Sequence, residues 1–274
     1  MTTLLALARG FHDASVMALF GSACLLALFA SKLPELTFGG HGLVLGRRVA
    51  SLTALASAPV WLAGMRETIP QMVHTPAGWV FIARLFLLLL LAVAVWRDRT
   101  RISAWLAGAA LVAIAATGHA AAASPQGFWA IGAINDGLHL LTAAYWIGGL
   151  CVLLAMLGAR PSAPRLPQAV ALFAEWGMIT VALLVMTGII NAAMVLLGNP
   201  GHDNPAYVGF LALKIVLALA MIALALVNHF HLLPRLAQEN AVARLKDRTG
   251  WELGLGVLAV GLAALLTLLP PTHQ

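Results

Sequence analysis

Two ionisable side chains stand one helical turn apart in an apolar stretch, and they are the first candidates for chemistry. Asp136 and His139, with Asn135 beside them, interrupt a run of apolar residues that continues to Leu150. A spacing of i, i+3 places both side chains on nearly the same face of a helix. An acid costs about 2.5–3.5 kcal/mol at the centre of a membrane helix, so it rarely occurs there without a partner or a task. The spacing suits either two metal ligands or a histidine ligand held by a neighbouring carboxylate.

The same pair also has a purely structural interpretation, in which Asp136 forms a buried ion pair that locks its helix to a neighbour. Arg84 and Lys214 are the basic residues inside apolar segments, and either could be that partner. Each could instead extend its charge outward to the membrane surface. A third alternative is charge balance, in which Arg84 or Lys214 compensates Asp136 or Asp13 within a metal site.

Further histidines and methionines complete the set of candidate metal ligands. His12 and Asp13 open the first predicted helix and His119 closes the fourth, at depths similar to that of His139. Imidazole is the commonest ligand for transition metals, and a carboxylate can complete the coordination of Cu(II). Thioether and imidazole together favour Cu(I), although methionine is also common in membrane helices for packing alone. Such a pairing occurs around one outer loop, at Met65, Met72 and His74.

The composition shows what kind of protein positions these residues. Of the 274 residues, 61% are hydrophobic and 9% are charged, and the mean hydropathy is +0.93. These values are typical of an all-α, polytopic membrane protein, with the lipid bilayer as its main surroundings. The formal charge of +6 comes from short basic clusters between apolar runs, so we do not expect nucleic acid as a partner. Cys24 and Cys151 both lie in apolar segments, so we expect neither a disulfide nor a thiolate site.

Apolar windows bounded by charges, Pro and Gly predict eight transmembrane helices in one bundle and a single domain over residues 1–274. The predicted spans are roughly 11–31, 47–65, 78–96, 102–119, 131–157, 169–197, 207–230 and 250–269. The distribution of basic residues sets the orientation, because positively charged loops stay in the cytoplasm. Twelve of the 16 Lys and Arg residues fall in the odd-numbered loops. We therefore predict a multi-pass inner-membrane protein with both termini in the periplasm, and with the candidate ligands in its outer half.

Several functional classes are excluded or remain as alternatives. The chain has neither a Walker P-loop nor a G-x-G-x-x-G fingerprint, which excludes ATP-driven pumping by this chain. Haem b is a competing cofactor, because His119 and His139 on adjacent helices could be its two axial ligands. In that case the protein would be an electron carrier or a metal reductase. A membrane scaffold whose buried charges only set helix register is the third possibility.

The second half of the chain resembles the bacterial copper resistance protein D (CopD) family of inner-membrane proteins, whereas the first half is more generic. The resemblance covers about residues 135–234 and rests on His139, Trp146-Ile147-Gly148-Gly149-Leu150, Thr187-Gly188, Asn191, Tyr207, Gly209 and Leu213-Lys214. It implies copper uptake or homeostasis rather than an enzymatic activity. It also implies a periplasmic copper carrier of the CopC type as a separate partner.

Together these observations predict a copper-binding membrane protein that takes up Cu(I) or Cu(II) from the periplasmic side. Asp136 and His139 would anchor the site, with His12, Asp13 and His119 as partners. Met65, Met72 and His74 would form an entry point. Asn135, Asn191, Arg84 and Lys214 would support the site, and Trp146 with the small Gly148-Gly149 pair would let helices approach closely.

Overall fold

The computed structural model describes residues 2–34, 40–63, 74–115, 129–159, 165–198, 204–236, 238, 240–267 and 269. Within these residues the chain forms eight α-helices and no strand. They are α1 (Thr2–Lys32), α2 (His41–Ala63), α3 (Pro76–Trp96), α4 (Thr100–Ala115), α5 (Trp129–Ala159), α6 (Leu166–Gly198), α7 (Pro205–Val227) and α8 (Ala241–Leu266). All but α4 are long and apolar enough to cross a membrane. The prediction of an all-α polytopic membrane protein is therefore confirmed.

The helix boundaries follow local sequence signals, with one correction. Thr75 caps α3 by accepting the amide of Gly78, and Asn204 caps α7 in the same way, each with a proline at the next position. The first helix, in contrast, begins at Thr2 and not near residue 11. His12 and Asp13 therefore lie well inside α1 instead of opening it, because the apolar residues before Arg9 continue the helix toward the N-terminus.

Helix α1 lies at the centre of the bundle and packs against α2, α4, α5 and α8. It crosses α5 where Gly21 faces Gly148, and a Cβ atom built on Gly148 would lie 2.6 Å from the Cα of Gly21. The two backbones are in direct contact at this crossing, as the small residues of the sequence predict. Gly149 packs against the ring of Phe173 on α6, so α5 is held between α1 and α6.

Basic residues gather at one end of the bundle, which we call the basic end. Its members include Arg48, Arg97, Arg165 and Arg244, which lie at the corresponding ends of α2, α3, α6 and α8. Arg48 joins two of these elements through an ion pair with Asp98. By the rule that basic segments stay in the cytoplasm, the basic end is predicted to be cytoplasmic and the opposite, outer end periplasmic.

Helices α6 and α7 have the most open outer faces of the bundle. Helix α6 packs mainly against α5, and α7 packs mainly against α8. Large apolar side chains such as Ile179, Ile189 and Val216 are exposed on them. In a membrane these side chains contact lipid, which is why the hydropathy pattern found these helices but could not show which residues face inward.

Candidate metal site

Asp136 and His139 lie in the outer half of α5 and face α6. They form a polar network with Asn135 on their own helix and with Thr187 and Asn191 of α6, and we call these five residues the α5–α6 cluster. Thr187 is almost fully buried and Asn135 is buried. A buried network of this kind is stable in an apolar bundle only because its members satisfy one another.

The hydrogen bonds of Thr187 fix the protonation of His139. The Thr187 hydroxyl donates its only proton to a backbone carbonyl of its own helix, with Leu183 O at 2.7 Å. It must therefore accept the hydrogen bond that joins it to His139 Nδ1 at 3.0 Å. The proton of the neutral imidazole is thus on Nδ1, and the lone pair is on Nε2. A histidine held through one nitrogen, with the other nitrogen carrying the lone pair, is the usual arrangement of a metal ligand.

Amide side chains orient the carboxylate of Asp136. Asn135 donates to the Thr187 carbonyl at 3.0 Å and to Asn191 Oδ1 at 2.6 Å. Asn191 in turn donates to Asp136 Oδ1 at 3.2 Å. The carboxylate is therefore held in position by a chain of hydrogen bonds that begins at the residue that also orients His139.

Two of the predicted supporting residues lie around the cluster at different levels. Lys214 of α7 interacts electrostatically with both Asp136 and His139, so it places a positive charge beside the cluster. Trp146 lies further toward the basic end, where its ring stacks on Phe173 at a centroid distance of 5.6 Å and packs over Gly177. Trp146 thus fixes the spacing of α5 and α6 but is not a member of the α5–α6 cluster.

A second polar group lies on the opposite side of α1, between α1, α2 and α3. Asp13 forms ion pairs with Arg84 of α3 at 3.4 Å and with Arg9 at 3.6 Å. His12 is 2% exposed, and its Nδ1 lies 2.9 Å from the carbonyl oxygen of Ala54. Because a carbonyl only accepts, His12 also carries its proton on Nδ1 and its lone pair on Nε2. We call His12, Asp13, Arg84 and Arg9 the α1–α3 cluster.

The two clusters lie at similar depth but on different faces of the bundle. His12 and His139 precede the crossing glycines Gly21 and Gly148 by the same number of residues, in helices that run in the same direction. Helix α5 also contacts α1 and α4, as expected for the predicted partners. However, His139 faces α6 whereas His12 faces α2. Among the described residues no group of three or more His, Cys, Asp or Glu is close enough to hold a metal ion.

The remaining predicted ligands are not part of either cluster. His74 is exposed at the outer end, just before the start of α3. Met65, Met72 and His119 lie outside the described residues, so their place in a copper site stays a prediction. Thr187 was not predicted as a site residue, although Thr187-Gly188 and Asn191 are part of the sequence resemblance to the family. Its spacing of i, i+4 from Asn191 was the available signal, because both face the same neighbour.

Arg84→Met should lower the free energy of unfolding by about 3 kcal/mol, because it removes a buried cation from Asp13, whose other ion pair among the described residues is with Arg9. Thermal unfolding of the purified protein in detergent measures the change. Asp98→Asn is the matched control, since the Arg48–Asp98 pair is largely exposed and should contribute less than about 1 kcal/mol. Equal effects of the two substitutions would contradict a structural role for the Arg84 pair.

The sequence comparisons identify related proteins. Residues 1–127 match the family model of the copper resistance protein D-like N-terminal domain, and residues 167–266 match that of copper resistance protein D. The copper transport protein CutJ of Bacillus subtilis (strain 168) is 30% identical over 219 residues, which span 75% of this chain but 38% of that protein. The inner membrane protein YebZ of Escherichia coli (strain K12) is 28% identical over 290 aligned positions, covering 96% of this chain and 97% of that protein. No solved structure matches the chain.

Proposed function

Because the chain belongs to the copper resistance protein D family of copper-related, multi-pass inner-membrane proteins, we propose that it binds copper in the α5–α6 cluster and takes part in copper uptake. Copper is the cargo in this proposal, and the protein is a transporter or metal-binding protein and not an enzyme. Membership of the family supports copper as the metal, and the side chains of the cluster support this position for it.

One observation carries the proposal. His139 holds its proton on Nδ1 through Thr187, so that its Nε2 lone pair is available for a metal, and Asp136 lies one turn away. Imidazole nitrogen and carboxylate oxygen together fit a copper ion. A purely structural ion pair would require neither the fixed tautomer of His139 nor the chain of amides that orients Asp136. His139 and Asp136 would form the first part of the coordination shell, and the predicted ligands in other segments would complete it.

The position of the cluster suggests the direction from which copper enters. Asp136 and His139 lie in the half of α5 that is remote from the basic end, which makes it the periplasmic half by the charge rule. Copper would then be received from the periplasm, from a carrier protein of the CopC type. His74, with Met65 and Met72, remains the proposed entry point, because imidazole and thioether groups together favour Cu(I). His12 and Asp13 remain candidate ligands.

Metal analysis of the purified protein, combined with a visible absorption spectrum, tests the proposal. We expect copper to remain bound after dialysis, and we expect no Soret band. A protein that retains no copper would refute the proposal. A Soret band with sharp reduced α bands would replace it with the haem-b electron carrier or metal reductase, in which His139 would be an axial ligand.

Thr187→Val should weaken copper binding by about 10- to 100-fold, because it removes the hydroxyl that orients His139 while leaving both proposed ligands in place. Competition with a chromophoric copper chelator measures the affinity. Thr180→Val is the matched control, because Thr180 lies on the same helix and its hydroxyl bonds only the carbonyl of Trp176. If both variants bound copper as the wild type does, Thr187 would have no positioning role.

A further inference from the structure

A second polar site lies in the opposite half of the bundle, in a pocket bounded by α5, α6, α7 and α8. The pocket has a volume of about 40 Å³, and most of its wall is apolar. Four polar side chains also line it: Asn228, His229, Thr249 and Glu252. We call it the inner pocket, because Thr249 and Glu252 lie in the half of α8 nearer the basic end.

Glu252 is a buried acid without a basic partner among the described residues. It is 2% exposed, and the hydrogen bond that it accepts comes from Asn228 Nδ2, at 2.6 Å from Oε1. Within the part of the chain that the structure describes, no Lys, Arg or His forms an ion pair with it. A buried carboxylate that lacks a compensating charge is strongly unfavourable. The Glu252 carboxylate must therefore bind a positively charged species, which is either a proton or a metal ion.

The other polar atoms of the inner pocket indicate what that species is. Asn228 Oδ1, His229 Nδ1 and Thr249 Oγ1 are all buried, and none has a hydrogen-bond partner among the described residues. Each of these atoms can present a lone pair. A proton on Glu252 would neutralise the carboxylate but would leave the other three atoms unsatisfied. A metal ion bound between them would satisfy all four groups at once.

The backbone also marks this position. Helix α7 continues into a π-helical turn over Asn228–Leu232, which carries both Asn228 and His229. Turns of this kind are rare and occur frequently at functional sites. Met178 of α6 lines the same pocket, so a thioether is available beside the imidazole and the carboxylate. Nitrogen and sulfur ligands select a transition metal over sodium, potassium or calcium, which prefer oxygen ligands alone.

We propose that the inner pocket is a second copper-binding site, which receives the ion after the α5–α6 cluster on its way to the basic end. This inference rests on the proposed function, because it takes copper as the cargo. The two sites share α5 and α6, and His139 lies about 17 Å from Leu150 in the pocket wall along the axis of α5. The inner pocket thereby supplies metal ligands in the half of the bundle where the α5–α6 cluster has none.

Copper stoichiometry of the purified chain, measured by equilibrium dialysis and metal analysis, tests this assignment. We expect about two copper ions per wild-type chain and about one in Glu252→Gln, which keeps the shape of the side chain and its hydrogen bond to Asn228. Glu175→Gln is the matched control, because Glu175 is an exposed carboxylate on α6 and should leave two ions bound.

The outcomes separate this inference from the proposed function. Wild-type protein without any copper would refute both. Two copper ions bound to Glu252→Gln would refute the inner copper site alone. Displacement of the second copper ion from the wild-type protein by excess sodium or potassium would also refute it. If Glu252→Gln does not fold, Thr249→Val provides a second test. It removes one proposed ligand and should weaken binding of the second copper ion by at least about 10-fold.

Discussion

His139→Asn should weaken copper binding by more than about 100-fold, since it removes a ligand and not merely the group that orients one. The substitution removes only the proposed metal-binding nitrogen. The Asn amide can still donate to Thr187 from the position of Nδ1, while nothing replaces Nε2. Gly188 packs directly against the imidazole, so the shorter side chain introduces no overlap. Competition against a copper chelator, in the oxidised and the reduced state, measures the loss and shows which state is bound.

Two further variants make this result specific. Asp136→Asn keeps the hydrogen bond from Asn191 but loses the charge, and we expect a decrease similar to that of His139→Asn. His12→Asn makes the same chemical change in the α1–α3 cluster, where His12 faces α2. A smaller effect at His12 than at His139 would assign the copper ion to the α5–α6 cluster. An equal effect would show that His12 is also a ligand, and normal affinity in all three variants would refute the proposed site.

Gly148→Ala should prevent stable folding of the bundle, at a cost of about 3 kcal/mol or more. The new Cβ atom would lie 2.5 Å from the backbone nitrogen of Ser22 and 2.6 Å from the Cα of Gly21. Both are backbone atoms of α1, so no rotation of a side chain relieves the overlap, and the two central helices must separate. Size-exclusion profiles and thermal unfolding in detergent measure the effect.

Gly254→Ala is the matched control for this prediction. It makes the same change in α8, where no atom lies within 4 Å of the added Cβ atom. Alanine at an open helical position should be neutral or stabilising by about 0.5–1 kcal/mol. Equal stability of the two variants would contradict the close crossing of α1 and α5.

The fold was accessible from the sequence because membrane helices are defined by their length and apolarity. All eight helices were predicted, and the glycines at residues 148 and 149 correctly indicated close packing. The start of α1 was predicted too late, because Arg9 precedes the apolar run and His12 and Asp13 lie at its edge. In the structure Arg9 pairs with Asp13 one turn later, which allows the helix to continue through the charge.

The partners of the polar residues were less accessible, because they depend on packing between helices. Asp136 and His139 were found because an acid and an imidazole are costly in an apolar helix, but their contact with α6 could not be deduced from spacing. Thr187 was missed because a threonine that bonds its own backbone is common in membrane helices. Glu252 was missed as a ligand because it follows the basic start of α8 closely and resembles a residue of the membrane surface.

X-ray absorption at the copper edge locates the ion, recorded on copper-loaded Glu252→Gln protein with and without His139→Asn, so that His229 of the inner pocket does not contribute. We predict imidazole scattering in the Glu252→Gln spectrum and its clear reduction when His139→Asn is added, because His139 Nε2 would be bound to the metal in the first protein and absent from the second. Identical spectra from the two proteins would contradict the account, since the copper ion would then be bound elsewhere.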